Sequence, residues 1–325
     1  MKKWGSRLLA CGAAASMAAS FGMIAQAEDQ TYKVGVCQLV QHDALDAATK
    51  GFSDALTEKL GDKVEIIEQN ASGDSANCTT IVNQFVADEV DLIMANATPA
   101  LLAAMAGTNE IPILGTSVSV YSVALDVPAE EWTGKSGINV SGTSDLAPLD
   151  EQAAMFSEIL PDAKTIGLLY CSAEPNSVYQ VETVEAALKE AGFETKVYTF
   201  ADSNDIASIT TQAASEVDAM YVPTDNAAAS NAEIIDNICQ PAGIPIIAGE
   251  EGICSGCGIA TLSISYYDLG YKTGEMAYDV LVNGADVSEM EVAYAPQFVK
   301  KYDAARCEAL GITVPEGYEA IETAE

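Results

Sequence analysis

From Thr31 onward, short apolar runs alternate with longer amphipathic stretches. Tyr32–Leu39 (YKVGVCQL) predicts a buried strand. Leu45–Leu60 predicts a helix, because Leu45, Ala48, Phe52, Leu56 and Leu60 recur on one face. The pattern continues with a strand at Val64–Glu68, a helix near Thr79–Ala87, a strand at Asp91–Ala97 and a helix from Pro99. Ile111–Gly115 and Gly137–Val140 supply two more strands. The same order then restarts: strand Thr165–Cys171, helix Asn176–Ala191, strand Glu194–Phe200, helix Asp205–Glu216, strand Asp218–Pro223, helix Ala227–Gln240 and strand Ile244–Ala248. Ile259–Ser265, a helix over Asp268–Val282 and a last strand near Gln297–Tyr302 follow. Strand runs that are apolar throughout belong to a parallel sheet covered by helices on both faces. The expectation is therefore an α/β protein of two doubly wound parallel-sheet lobes. The boundary falls at Ser141–Leu149, after a stretch rich in Gly and Ser, and a second change of character falls in the Gly-rich Gly252–Gly258, which reads as a loop.

The first 27 residues read as an export signal rather than as part of the fold. Lys2, Lys3 and Arg7 precede an apolar stretch from Leu8 to Ala25, and Ala25-Gln26-Ala27 forms a cleavage pattern before Glu28. Leu8-Leu9-Ala10-Cys11 resembles a lipoprotein box, but almost no apolar stretch precedes Cys11. Cleavage and secretion are thus expected ahead of lipid anchoring, with the protein working outside the cytoplasm.

Composition narrows the function. The 325 residues carry 48 acidic and 15 basic side chains, a formal net charge of −33, which lacks the basic surface that a nucleic-acid partner requires. At 49% hydrophobic, the chain has enough apolar content for packed cores, unlike a disordered acidic chain. Seven cysteines remain beyond the signal: Cys37, Cys78, Cys171, Cys239, Cys254, Cys257 and Cys307. Cys254-Ser-Gly-Cys257 is a CxxC, but a zinc site needs four ligands, and there is no second CxxC and only one His. The pair reads as structural. No GxSxG, HExxH, Walker loop or GxGxxG is present, so neither a catalytic constellation nor a cofactor or metal is expected.

The polar residues collect in loops that follow the predicted strands, where open α/β sheets bind ligands. The first lobe offers Gln38, Gln41 and His42, then Thr98, then Thr116 and Ser117. In the second lobe the candidates are Asn176 and Ser177, then Thr224, Asp225 and Asn226, then Glu250. Asn176, Ser177, Asp225 and Asn226 have an alternative role as helix N-caps. Glu250-Glu251 at the end of a buried strand needs a partner, since burying a carboxylate unpaired is costly. Trp132, among Glu130 and Glu131, reads as a surface or inter-lobe residue.

These residues carry a family resemblance. QLVQHDALDAATKGF at Gln38–Phe52, NVSGTSDLAPLDEQ at Asn139–Gln152, EPNSVYQVE at Glu174–Glu182, YVPTDN at Tyr221–Asn226, and EEG followed by GIATLSISYYDLGYKTGEMA at Gly258–Ala277 resemble the tryptophan-type ABC transporter substrate-binding proteins. The resemblance runs from Tyr32 to about Pro315, and departs from the family pattern at Cys37, at Asp43 and in the loop Gly115–Asp126. It implies the type I periplasmic binding fold: lobe 1 from residues 28–143 and 258–293, lobe 2 from residues 144–257 and 294–325, and a hinge of three crossovers near Ser141–Asp145, Gly252–Gly258 and Val292–Phe298. It further implies a monomeric receptor that closes on a small amino acid-like ligand, aromatic such as tryptophan, phenylalanine or tyrosine, and presents it to a membrane permease. A sugar or other small-solute receptor, or a sensor component of the same fold, is the alternative. With Arg306 the only Arg outside the signal, guanidinium recognition of a sugar or carboxylate is not expected.

Overall fold

A computed structural model describes residues 30–321; the expected signal, its cleavage site and Cys11 lie outside the described residues. The chain runs β1 (Tyr32–Gln38), α1 (Asp43–Leu60), β2 (Val64–Asn70), α2 (Ser75–Ala87), β3 (Leu92–Asn96), α3 (Thr98–Gly107), β4 (Ile113–Val118), α4 (Tyr121–Ala124) and β5 (Val140–Ser144). It continues with α5 (Leu149–Ile159), β6 (Thr165–Cys171), α6 (Pro175–Glu190), β7 (Glu194–Phe200), α7 (Ile206–Ala214), β8 (Ala219–Val222), α8 (Asn226–Ala229), α9 (Ala232–Ala242), β9 (Ile246–Ala248), α10 (Glu251–Cys257) and β10 (Ala260–Ser263). The last elements are α11 (Tyr266–Leu281), β11 (Ala293–Tyr294), β12 (Val299–Tyr302), α12 (Ala304–Leu310) and β13 (Glu319–Ala320).

Two sheets result, with strand orders β11-β5-β4-β3-β1-β2 and β13-β12-β10-β9-β8-β6-β7. Among these pairs only β10 with β12 is antiparallel. β3 and β4 are buried at every position, so both faces of the first sheet must be covered. On one side Val34, Val36 and Met94 pack with Phe52, Leu56 and Met276 from α1 and α11. On the other, Ile93 and Ala95 pack with Val82, Phe85 and Leu101 from α2 and α3. Each large side chain buried this way contributes about 1.5–3 kcal/mol. In the second sheet, Phe156, Val184 and Leu188 cover one face, and Ile206, Ile235 and Ile253 the other.

The helix contact that positions the end of β1 depends on glycine. A Cβ at Gly270 would lie 1.9 Å from the Ala48 carbonyl oxygen, so α1 and α11 touch backbone to backbone. A side chain there would push α1, and with it the loop that carries His42, off the first sheet.

The sheet pairing corrects the expected path of the chain. β10 pairs with β9 and β12 in the second sheet, so the second crossover lies at Ile264–Ser265 and not at Gly252–Gly258. Residues 258–263 therefore sit with the second sheet, although lobe 1 was expected to resume at 258. The physical reason is that Gly252–Gly258 is not a loop. The Glu250 carboxylate caps α10 by accepting from the backbone N–H of Gly252 and Ile253. At the other end the Arg306 guanidinium donates to the carbonyls of Cys254, Ser255, Gly256 and Gly258, where a cation also complements the helix dipole. Two satisfied termini hold a helix that its glycines alone would disfavour. The first crossover spans residues 145–148 and the third residues 295–298.

Smaller departures have similar causes. β5 falls at Val140–Ser144 and not at Gly137–Val140, because its buried hydroxyls find partners: Ser141 Oγ donates to the Met290 carbonyl at 3.1 Å, and Thr143 Oγ1 lies 2.9 Å from Thr273 Oγ1. The expected helix Ala227–Gln240 divides into α8 and α9 at Ser230-Asn231. Trp132 packs on the first-lobe core.

Candidate functional site

Loops from the two sheets meet at the carboxyl ends of β1, β4, β6, β8 and β9. Seven expected residues line a small enclosed cavity there: His42, Ser117, Asn176, Thr224, Asp225, Asn226 and Glu250. Leu45, Ser119, Asp145, Ala229 and Tyr266 complete it and were not expected. The cavity measures about 10 Å³, room for about one water. Gly249 brings two of these loops together, since a Cβ there would lie 2.3 Å from the Thr224 backbone nitrogen. Ser117 sits at φ 54°, a strained left-handed conformation for a residue with a side chain, and its buried Oγ has no hydrogen-bond partner.

Five expected residues lie elsewhere. Gln38 turns into the first lobe, where Nε2 donates to the Val40 carbonyl and Asp46 Oδ1, and Oε1 accepts from Thr49. Gln41 is exposed beside it. Thr98 is buried at the start of α3, with Oγ1 unpartnered. Thr116 is in the core, 3.1 Å from Thr143 Oγ1. Ser177 is fully buried in α6, where its Oγ accepts from Asn176 Nδ2 at 3.4 Å.

Hydrogen bonds span the two lobes here. His42 Nε2 of the β1–α1 loop is 3.3 Å from Asn226 Oδ1 of the β8–α8 junction. Gln180 Nε2 of α6 donates to Ser119 Oγ, beyond β4, at 3.4 Å. The lobes are thus closed on one another.

The electrostatics are one-sided. Asp145, Glu174, Asp225 and Glu250 are only 1–5% exposed, and no Lys or Arg lines the cavity to offset them. Burial pushes all four carboxyls up, Glu250 to about 7 and Glu174 to about 8, with the neighbouring charge of Asp225 adding to the shift at Glu174. Three of the four are held by amide donors. Asp225 accepts from the backbone N–H of Ala228 and of Cys171, both at 2.7 Å. Glu174 accepts from the N–H of Asn226 and Ala227 and from Asn226 Nδ2, and Glu250 caps α10. Asp145 differs: Oδ2 accepts from the Tyr266 hydroxyl at 2.9 Å, while Oδ1 is buried with no partner. Such an oxygen calls for a cationic donor from a ligand.

A larger groove of about 830 Å³ lies against the second and third crossovers, between Tyr266, Tyr267, Tyr294 and Pro296. Its volume exceeds that of the cavity, but its walls are largely apolar side chains. The unpartnered polar atoms of His42, Ser117, Asp145 and Asn176 belong to residues lining the cavity instead, which makes it the candidate site.

Comparison with known proteins matches this architecture. The profile of the ABC transporter substrate binding protein family matches residues 33–322. A tyrosine-binding protein of Clostridioides difficile is 38% identical over 262 residues, 80% of this chain and 75% of the relative. The structure of an ABC domain in complex with L-Trp from Streptococcus pneumoniae superimposes with a TM-score of 0.85 at 33% identity, covering 90% of this chain and 100% of that one. The ligand-free, open structure of a substrate-binding protein with adhesive properties from Clostridium difficile is 37% identical with the same coverage, yet its TM-score is 0.67. Similar identity with a poorer superposition on the open form agrees with the closed lobes seen here. A leucine-binding protein of Thermotoga maritima, 15% identical with a TM-score of 0.60, shares the fold.

Proposed function

Since the chain belongs to the ABC transporter substrate-binding protein family, we propose that it is an extracytoplasmic receptor that binds an aromatic amino acid between its lobes and delivers it to a membrane permease. The observation that carries this reading is the unpartnered Oδ1 of buried Asp145 among three further buried acids. An α-ammonium group supplies the positive charge that this setting lacks, and a buried carboxylate left without one costs several kcal/mol. The amino acid's own carboxylate finds no guanidinium or ammonium in the cavity and falls to neutral donors, among which the Ser117 hydroxyl is unpartnered. The relatives that bind tyrosine and L-Trp support an aromatic side chain.

A space for one water does not hold such a ligand, so it enters with the lobes apart, and closure settles on it with the cavity walls displaced. Rotation about the three crossovers supplies this motion, and the ligand's contacts to both lobes shift the balance toward the closed form. The protein acts by binding and release, not by chemistry on its ligand, as a monomer. Residues 1–27 direct export. The division into lobes that follows from the sheet pairing changes chain segment at residues 145–148, 264–265 and 295–298. A thermal-shift screen against the standard amino acids and then simple sugars tests the reading. Stabilisation by tyrosine, tryptophan or phenylalanine is expected, and stabilisation by sugars alone overturns it.

A further inference from the structure

The single His of the chain occupies a chain of hydrogen bonds that settles which of its nitrogens carries the proton. Glu174 Oε2 accepts from Asn226 Nδ2 at 2.6 Å and from the Asn226 backbone N–H at 3.1 Å, while Oε1 accepts from the Ala227 N–H at 2.9 Å. Both Glu174 oxygens already accept backbone N–H groups, and this fixes the Asn226 side chain with its NH2 toward Glu174, and therefore with Oδ1 toward His42. Oδ1 is an acceptor only, so His42 Nε2, 3.3 Å away, must be the donor. Burial, the largest influence on the ring, pushes its pKa down despite the bond to Asn226, so the imidazole is neutral. A neutral ring protonated at Nε2 leaves Nδ1 as a bare acceptor, and Nδ1 is buried with no partner.

We propose that His42 is a specificity-determining residue whose Nδ1 accepts a hydrogen bond from a donor on the ligand's side chain, with Glu174 and Asn226 as positioning residues that hold the ring in this tautomer. The inference rests on the amino-acid reading above and goes beyond it by naming what is read. A phenol O–H or an indole N–H satisfies Nδ1, whereas a phenyl ring leaves it buried and unpaired. Sites built to bond a polar group reject the analogue that lacks it, because the site's own polar atom is stranded. The ammonium is not the expected donor to Nδ1, since it has Asp145. The Asn226 partner comes from the opposite lobe, so the tautomer is fixed only when the lobes close, and recognition of the side chain is coupled to closure.

Two measurements test this. Because only one His is present, uniform 15N-histidine labelling gives one imidazole, whose nitrogen shifts report its protonation directly. In tyrosine-saturated protein at neutral pH, Nε2 is expected as the protonated nitrogen and Nδ1 as the bare one. An imidazolium, or a proton on Nδ1, overturns the proposal. Calorimetric titrations compare L-tyrosine with L-phenylalanine on the parent chain, on His42→Leu and on Asn226→Leu. Tyrosine is expected to bind the parent roughly 10- to 100-fold more tightly than phenylalanine, the loss of one buried hydrogen bond. The ratio is expected to fall toward one in His42→Leu. Asn226→Leu should reduce it and shift the 15N pattern toward a mixture of tautomers, which a merely structural residue would not do. Equal binding of tyrosine and phenylalanine by the parent overturns the proposal while leaving the amino-acid reading intact. Failure of any amino acid to bind overturns that reading first.

Discussion

The Tyr266 hydroxyl donates to Asp145 Oδ2 at 2.9 Å, tying the first residue of α11 to the first crossover between the lobes. Both residues are buried, and burial raises the pKa of each, so the hydroxyl stays protonated and remains a donor. The bond orients one oxygen of Asp145 and leaves the other without a partner. On the function proposed above, Asp145 connects the first crossover to the ammonium site.

Removing the charge of Asp145 while keeping its shape isolates that role. Asp145→Asn is expected to weaken amino-acid binding by about 2–5 kcal/mol, as loss of one member of a desolvated pair does. The ligand-free protein should be no less stable, because a buried, unmatched acid is gone. Calorimetry and thermal unfolding of the same preparation check both halves; unchanged affinity would mean that Asp145 does not meet the ammonium.

Asp225 and Glu250 are acids of a different kind. Their oxygens already accept backbone N–H groups, Asp225 at α8 and Glu250 at α10. Asp225→Asn and Glu250→Gln are expected to lower stability by about 1 kcal/mol each, with a smaller effect on affinity than Asp145→Asn. Denaturant unfolding and calorimetry distinguish the roles, and an affinity loss at either site equal to that of Asp145→Asn would make it a ligand partner.

The pH dependence follows from the sign of the shifts. Glu250 rises from an ordinary 4.5 to about 7 in the closed protein, and Glu174 to about 8. Raised acids favour the closed, ligand-free form below about 4.5, and this contribution is lost as pH rises through 7 to 8. The ligand-free midpoint temperature should therefore fall between pH 5 and pH 8, and the stabilisation by saturating amino acid should grow over the same interval. Glu250→Gln should flatten part of the slope. A ligand-induced shift that shrinks with rising pH would contradict the electrostatic account.

The CxxC is packed inside the fold. Cys254 and Cys257 are buried in α10, and burial pushes both thiols far above their ordinary range. All seven cysteines of the described residues are buried and unpaired. Native protein should react negligibly with a thiol reagent over minutes, and all seven should react after unfolding. Rapid modification of Cys254 or Cys257 in the native state would contradict the packing.

Much of this was legible in the sequence, and the rest was hidden for definite reasons. β6 stands where its apolar run predicted it, because a buried parallel strand has a continuous signal; β7, an edge strand that buries only Tyr198 and Phe200, also falls at its expected bounds. Two doubly wound lobes and the end of the sheets that carries the site followed from that alternation. α10 was missed because its glycines suggest a loop, while its stability comes from Glu250 and from Arg306, about 50 residues away. Asp145 is not among the residues expected from the sequence, although the motif SGTSDLAP contains it. Nothing local in SGTSDLAP says that one of its oxygens would find Tyr266, 121 residues on, and the other nothing. Thr116 and Gln38 stand at the ends of predicted strands, but alternation turns their side chains into the first lobe, where Thr143 and Thr49 satisfy them.

The carboxylate end of the ligand gives a further expectation. With neutral donors only, a free carboxylate binds through oriented dipoles, and an ester removes the charge they favour. Tyrosine methyl ester should bind much more weakly than tyrosine in a competition assay; equal affinity would mean that the carboxylate faces solvent.

The central claim is that the cavity between the lobes is built for an ammonium group. Calorimetric titration with L-tyrosine, set beside 3-(4-hydroxyphenyl)propionate, tests it most directly, since the two ligands differ only in the amine. The account predicts that tyrosine binds and that the analogue binds at least roughly 30-fold more weakly, the lower end of what a lost buried charge pair removes. Equal affinities for the two would show that the four buried acids serve the fold and not the ligand.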